Sequence, residues 1–350
     1  MAVVCGNRLE NGILCGSFGC VVKVKDTDTN TDYAGKIAIG NEKSETSLQR
    51  EYDILKKLNQ VENPHMIKLK RKTKGETNGE TNGEIEELCN ITLEDDYTLQ
   101  DERGKPLANI KRGTTYKMMV MEYLSGGDLF DYVQKQRDLN DIHRIFVQII
   151  DAVEFCHQNG VYHLDLKTEN FVFADKEKTI LNIIDFGLAK DGNDICKGPR
   201  PFGTPGFFAP ELFKDEEFSC AKCDIFSIGI ILLTMVRPRI IHHSQTGFIL
   251  NTQRNYDKYV ENVRESIQSS DLPTELKNLL IHMITIDPKK RYDIEEIKKS
   301  EWYSGKTFTE FEIDELESYK DIPGRYVAEQ IMNGKPVLFH NVTNYFLISK

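Results

Sequence analysis

Tyr162-His163-Leu164-Asp165-Leu166-Lys167-Thr168-Glu169-Asn170 is followed fifteen residues later by Asp185-Phe186-Gly187. Either string alone arises by chance in many chains. In this order and at this spacing, the pair is specific. Just upstream, Asp141 to Gln158 puts Ile142, Ile145, Phe146, Ile149, Ile150 and Val153 on one face, which predicts an amphipathic helix. Downstream, Asp224 to Met235 is apolar nearly all round, which predicts a central buried helix. Further out, Val21-Val22-Lys23-Val24 and Tyr33 to Ala38 are short β-type runs around a polar turn, and Ser47 to Leu58 repeats Leu48, Tyr52, Leu55 and Leu58 at helical spacing.

The two strings resemble the catalytic loop and the magnesium motif of eukaryotic protein kinases. Other segments match the same family in the same order. Gly16-Ser17-Phe18-Gly19-Cys20-Val21 looks like the end of the glycine-rich loop, with Leu14 where the first loop glycine usually stands. Lys36, two after Ala34, matches the strand lysine, and Glu51 matches the helix glutamate that pairs with it. Met121-Glu122-Tyr123-Leu124, followed by Gly126-Gly127-Asp128, looks like the hinge. Gly203-Thr204-Pro205 through Ala209-Pro210-Glu211 matches the end of the activation segment, and Arg291 matches the arginine that pairs with Glu211.

The resemblance covers residues 9–303 and implies an α+β, two-lobed fold. The small β-rich lobe would span 9–121, with an insertion at 70–115; the hinge would be 122–128 and the larger helical lobe 129–303. The implied reaction is transfer of the ATP γ-phosphoryl group to a protein hydroxyl with Mg2+. Lys36 would hold the α- and β-phosphates, and Glu51 would fix its rotamer. Asp185 and Asn170 would supply hard oxygen ligands for magnesium. Asp165 would accept the hydroxyl proton, Lys167 would steady the phosphoryl group, and Thr204 would hydrogen-bond Asp165 and Lys167. Val21, Ala34 and Val172 would sandwich adenine, backbone groups at Glu122 and Leu124 would bind its edge, and Leu14, Gly16, Ser17, Phe18, Gly19, Met121 and Asp128 would complete the nucleotide site. Leu55, Leu69, His163 and Phe186 are expected to be packed apolar positions, and His157 structural.

Each of these residues has a plainer reading by itself. A Lys–Glu pair is usually a surface salt bridge, an aspartate often caps a helix, and paired glycines often serve a hairpin. Their shared order is what favours the kinase reading. The alternative within it is a pseudokinase scaffold, which binds partners without catalysis; the presence of Lys36, Glu51, Asp165, Asn170 and Asp185 argues for the enzyme. Lys167 and Gly203-Thr204 resemble the serine/threonine class. Asp128 and Glu169 sit where basophilic members carry acids, so a basic surround at the target hydroxyl is expected.

Two departures go together. Leu164 replaces the arginine that usually precedes the catalytic aspartate and receives an activation-segment phosphate. From Gly187 to Gly203 there is no Ser, Thr or Tyr. Activity independent of phosphorylation in this segment is therefore expected.

Composition narrows the remaining classes. The 350 residues carry 45 Lys and Arg against 55 Asp and Glu, a formal charge of −10. Residues 75–102 alone hold ten acids and no base, so the remainder is formally neutral and the charge belongs to that stretch. It repeats Gly-Glu-Thr-Asn at Gly75 and Gly79, a low-complexity composition that predicts a flexible surface excursion. With the remainder neutral, the kinase motifs and not the net charge make nucleic acid an unexpected partner, and an anionic membrane is not expected either. The longest apolar run, Phe226 to Val236, has 11 residues, short of the ~20 of a membrane span. Met1 to Cys5 has no secretory character, and eight cysteines in this length make no disulfide framework. Reduced thiols and a cytoplasmic or nuclear location are expected. Cys220 and Cys223 form one C-x-x-C without the second pair that structural zinc requires. Residues 304–350 read as an acidic tail with a short helix between Leu316 and Met332. Oligomeric state is not readable from the sequence.

Overall fold

The computed structural model describes residues 3–4, 14–16, 19–26, 30–39, 42–70, 89–92, 97–100, 106–110, 113–133, 138–199, 203–237 and 252–305. The strands are β1 (Val3–Val4), β2 (Leu14–Gly16), β3 (Gly19–Asp26), β4 (Asp32–Ile37), β5 (Cys89–Thr92), β6 (Tyr97–Gln100), β7 (Pro106–Ile110), β8 (Thr115–Glu122), β9 (Val161–Tyr162), β10 (Phe171–Phe173), β11 (Leu181–Ile183), β12 (Lys190–Asp191), β13 (Cys196–Lys197) and β14 (Glu217–Phe218). The helices are α1 (Glu42–Leu58), α2 (Leu129–Val133), α3 (Leu139–Gln158), α4 (Cys220–Val236), α5 (Gln253–Ser269), α6 (Thr274–Met283), α7 (Ile294–Lys299) and α8 (Glu301–Ser304). They fall into two compact units, Met1–Gly126 with Phe173–Gly187, and Gly127–Val172 with Leu188–Lys350. The tail segment expected to hold a helix lies outside the described residues.

The first unit is built on an antiparallel sheet ordered β1-β3-β4-β8-β5, with β2 also paired to β3. Helix α1 covers it. The predicted start at Ser47 is five residues late, because Glu42 and Glu45 extend the helix with acids in its first turn, where the dipole favours them. Leu48, Tyr52, Leu55 and Leu58 are buried as their spacing predicts, and so are Val24, Ile37, Met118 and Met119 of the sheet. Leu69 and Phe186 are buried in this unit too.

The insertion reading needs correction. Residues 75–102 are not structureless throughout: Cys89–Thr92 is a strand of the main sheet, and β6 and β7 form an antiparallel hairpin. The pairing on β8 is informative. Leu69 stands opposite Met121, and Cys89 opposite Met118. Continued along β8, the line of Leu69 would bring residue 72 opposite Met118, the place that Cys89 takes, so the register jumps by 17 residues. The chain leaves the edge of β8 after Lys70 and rejoins the same edge as β5. The Gly-Glu-Thr-Asn repeats fall inside that interruption of one strand line. Loop closure grows only logarithmically with length, which makes such an interruption tolerable.

The second unit is helical. Asp138 caps α3 by accepting from the Asp141 N–H at 2.8 Å, and Ser219 caps α4 by accepting from Lys222 N–H at 3.1 Å. All six predicted apolar positions of α3 are buried. Helix α4 is buried along nearly its whole length, as its uniform apolarity requires. A Cβ at Gly229 would lie 2.9 Å from Met283 Cβ and from Ile284 Cγ1, so only glycine lets α4 approach the end of α6 this closely. Trp302 closes the unit edge-on to Phe146 and His143, with ring centroids 5.3 and 5.2 Å away. No helix among the described residues is long and apolar enough to cross a membrane.

The thiol expectation fails at one pair. Cys196 and Cys220 are disulfide-bonded. Strand pairing is the reason: β13 sets Cys196 opposite Phe218, two residues before Cys220. Cys220 therefore pairs across 24 residues and not with its C-x-x-C neighbour Cys223, which is a free buried thiol.

Candidate active site

Three charged groups meet in the first unit. Strand β4 carries Lys36, α1 carries Glu51, and the turn after β11 carries Asp185. Lys36 Nζ donates to Glu51 Oε2 at 2.7 Å and Oε1 at 2.9 Å, and to Asp185 Oδ1 at 2.7 Å. Lys36 and Glu51 are buried, whereas the Asp185 side chain is 42% exposed. Burial alone would lower the lysine pKa, but the carboxylates of Asp185 and Glu51 outweigh it, and the ammonium is held above its ordinary range. Asp185 sits at φ 63, a left-handed conformation that costs a side-chain-bearing residue about 1–2 kcal/mol.

Sheet register sorts the other predicted residues of this unit. Val21 is opposite Lys36, and Ala34 is opposite Met121. Side chains alternate along a strand and match across it, so Val21, Ala34, Lys36 and Met121 share one face. Leu14 is opposite Val21, and Gly16 opposite Gly19, in the β2–β3 hairpin. Ser17 and Phe18 lie outside the described residues. Glu122 accepts from the Lys68 N–H at 2.9 Å through Oε1, and its own N–H donates to Lys68 O at 2.9 Å. That N–H is therefore committed within the sheet, which narrows the expectation for the Glu122 backbone. Leu124 is half-buried just beyond it.

The second unit holds Asp165, Lys167, Asn170 and Thr204 together. Thr204 Oγ1 donates to Asp165 Oδ1 at 3.0 Å, Asn170 Nδ2 donates to Asp165 O at 2.8 Å, and Lys167 Nζ lies 3.9 Å from Asp165 Oδ2. Gly203 has φ 110, and a Cβ there would lie 3.2 Å from both Asp165 Oδ1 and Leu164 O, so glycine is required beside the carboxylate. The loop before Asp165 is clamped by Asp224, fully buried on α4. Asp224 Oδ2 accepts from His163 N–H at 2.9 Å, Oδ1 accepts from Leu164 N–H at 2.8 Å, and His157 Nε2 is 2.9 Å from Oδ2. These bonds hold Leu164 at φ 61. His163 is buried, and its Nδ1 accepts from Asp165 N–H at 3.4 Å. Both histidines are structural, as expected.

Asp128 caps α2 by accepting from Asp131 N–H at 2.7 Å and bridges to Val172 in β10. Glu169 accepts from Thr168 Oγ1 at 2.9 Å. Deeper in the unit, Arg291 Nη1 and Nη2 donate to Glu211 Oε1 and Oε2 at 2.5 and 2.9 Å, and both residues are buried. Arg291 also donates to the Lys222 and Thr285 carbonyls at 2.7 and 2.8 Å, so its remaining donors are satisfied.

Several positioning residues escaped the sequence reading. Tyr256 OH donates to Phe208 O at 2.5 Å with the two rings stacked, and Tyr259 OH donates to Gly206 O at 3.1 Å. Their only sequence signal is helical spacing with Val260, Val263 and Ile267 on α5. Asp194 accepts from Ser219 Oγ at 2.6 Å and from Ala221 N–H at 2.7 Å. No motif marks it.

Comparisons with known proteins agree with this geometry. The model of the family described as "Protein kinase domain" matches residues 10–303. Curated relatives include CBL-interacting protein kinase 26 of Oryza sativa subsp. japonica, 34% identical over 194 residues, covering 53% of this chain and 36% of the relative. CBL-interacting serine/threonine-protein kinase 19 of Arabidopsis thaliana is 33% identical over 229 residues, covering 59% and 44%. CBL-interacting serine/threonine-protein kinase 12 of the same plant is 36% identical over 188 residues, covering 53% and 37%. The chain thus spans less than half the length of these relatives.

Proposed function

The chain belongs to the protein kinase domain family, and from that premise we propose that it transfers the γ-phosphoryl group of ATP to serine and threonine hydroxyls of protein substrates. The observation that carries this reading is the Asp165 constellation. Its carboxylate is oriented by Thr204, flanked by Lys167, and set on a loop clamped by Asp224. A carboxylate so fixed aligns a substrate hydroxyl and takes its proton. Lys167 offsets negative charge on the transferring group. Lys36, kept cationic by two carboxylates, binds nucleotide phosphates, and Glu51 sets its direction. Within the first unit, Val21, Ala34 and Met121 offer one apolar face for adenine, with backbone groups at Glu122, Leu124 and the glycine hairpin beside it.

The donor set also fits magnesium. Asp185 and Asn170 are hard oxygen donors, and the Asn170 amide N–H is committed to Asp165 O, which reserves its Oδ1 as an acceptor. Among the described residues, no three His, Cys, Asp or Glu gather as a metal cage. Mg2+ bound through one or two protein ligands plus phosphates needs none. When bound, it shields the phosphate charge.

The lobe boundaries follow the family: 9–121, the hinge at 122–128, and 129–303. Serine/threonine selectivity rests on Lys167 and on Gly203-Thr204, and a basic surround at the target rests on Glu169. Activity is independent of phosphorylation in the segment between Gly187 and Gly203, which offers no hydroxyl.

The test is phosphoryl transfer from Mg-ATP to a generic basic protein by the full chain, beside Asp165→Asn. The variant should lose about 10²–10⁴-fold in kcat while still binding nucleotide. Equal transfer by both chains would refute the role of Asp165. Nucleotide binding with no transfer by the wild type would make the chain a scaffold.

A further inference from the structure

The segment after Gly187 lacks both halves of a phosphate latch: Leu164 cannot receive a phosphate, and no hydroxyl precedes Thr204. Yet the segment is fastened in three other ways, all within the second unit. Strand β13 pairs with β14, and the Gly198 N–H adds a bond to Glu216 O at 3.0 Å. Asp194 reaches the start of α4 through Ser219 and Ala221. Third, Cys196 is covalently joined to Cys220, the first residue of α4. Their Cα atoms are 6.0 Å apart, within the range that a disulfide spans without moving the backbone. The bond closes a ring that contains Gly203 and Thr204, the residues that frame Asp165.

We propose that Cys196 and Cys220 are a reversible oxidation site that latches this segment to α4 and raises kinase activity, in place of a phosphorylated residue. The regulatory half rests on the kinase function proposed above. The oxidant class is a hydroperoxide. Two thiols give up two protons and two electrons, the S–S bond forms, the O–O bond breaks, and with hydrogen peroxide two waters leave. A dithiol reductant reverses the step. In the bonded form Cys196 is 4% and Cys220 0% exposed, so oxidant or reductant reaches the sulfurs when the two-residue β13 lifts from β14, at a point where the neighbouring Ile195 is already at the surface. Cys223 does not compete. Its S–H is engaged, donating to Glu211 Oε1 at 3.4 Å, so it stays a thiol, and only the thiolate reacts. One disulfide, laid across the segment that frames the catalytic aspartate, suits a switch better than a scaffold, which would need several.

The test uses the purified full chain after treatment with hydrogen peroxide or with dithiothreitol. Peptide mapping should find Cys196 linked to Cys220 in the first sample and not in the second. Oxidised protein should show kcat/KM about tenfold above reduced protein, in the usual span of regulatory couplings. Cys196→Ser and Cys220→Ser should stay at the reduced value with or without peroxide. The wild-type pair of samples decides the matter even if a variant fails to fold. Absence of the 196–220 link after peroxide overturns the site. Where the protein transfers phosphate, a link that leaves activity unchanged or lowers it overturns the latch. If neither sample transfers phosphate, the kinase proposal has failed separately, and exchange alone judges the latch: slower exchange after oxidation supports it, and equal exchange refutes it.

Discussion

Thr204 and Asp165 are joined by a 3.0 Å hydrogen bond that spans 39 residues of sequence. It sets the direction of the carboxylate proposed to receive the substrate proton. A hydrogen bond to a charged group contributes about 1.5–3 kcal/mol, which corresponds to roughly ten- to a hundredfold in rate. Thr204→Val should therefore lower kcat by at least about tenfold, leave nucleotide affinity unchanged, and be rescued largely by Thr204→Ser. Steady-state kinetics at saturating ATP measures this. A valine variant within twofold of wild type would remove Thr204 from the site.

The Glu211–Arg291 pair has the opposite task, since it supports the fold. Both partners are nearly inaccessible, and the guanidinium meets the carboxylate through two nitrogens. Losing one partner strands a buried charge, at a cost of about 3–5 kcal/mol. Arg291→Met should lower the urea midpoint strongly. Glu211→Gln together with Arg291→Met should be less destabilised than the sum of the single changes, because neither charge is then left alone. Additive single effects would show that the pair does not act as a unit.

These two contacts also show what the sequence made legible. Asp165, Thr204, Glu211 and Arg291 belong to strings whose chemistry needs a particular residue type at a particular place. They stand out even though 39 and 80 residues separate the partners. The helices α3 and α4 were legible through apolar periodicity. What stayed hidden lacked either signal. Cys89–Thr92 has β-type residues, but the repeats and acids around it mask a four-residue strand whose partner is distant in sequence. Asp194 and Cys196 have meaning only once β13 lies on β14. Tyr256 looks like an ordinary helix-core tyrosine until its hydroxyl is seen to reach Phe208.

Two buried thiols give a pH dependence of stability. Burial, and then the Asp224 carboxylate, raise the Cys156 pKa. Burial, and then Glu211, do the same for Cys223. Both folded-state values lie above the ordinary 9.0. The unfolded chain therefore loses these protons first. The stabilisation is present in full below that ordinary value and drains away as pH rises above it, by about 1.4 kcal/mol per pH unit for each thiol. Urea midpoints should be flat in this respect near neutrality and fall beyond about pH 9. Cys156→Ala should make the alkaline fall shallower. An unchanged slope in that variant would mean that its thiol does not contribute.

The register jump on β8 gives the sharpest structural prediction. Leu69 opposite Met121 and Cys89 opposite Met118 define one strand line interrupted by 17 residues. Removing residues 72–88 should join its two parts in register, leaving Arg71 to face Met119. The shortened chain should fold with thermal stability equal to or slightly above that of the full chain, since a long closure is removed. Deleting 73–88, one residue fewer, forces a one-residue slip, and a slip of one sends each strand side chain to the opposite face. That variant must bulge or mispair and should be the less stable of the two. Deleting 75–102 should be worse than either, because it also removes β5 and β6 from their partners. Thermal unfolding of the three deletions ranks them. Equal stability of the first two would show that β5 does not continue the line of residues 68–70.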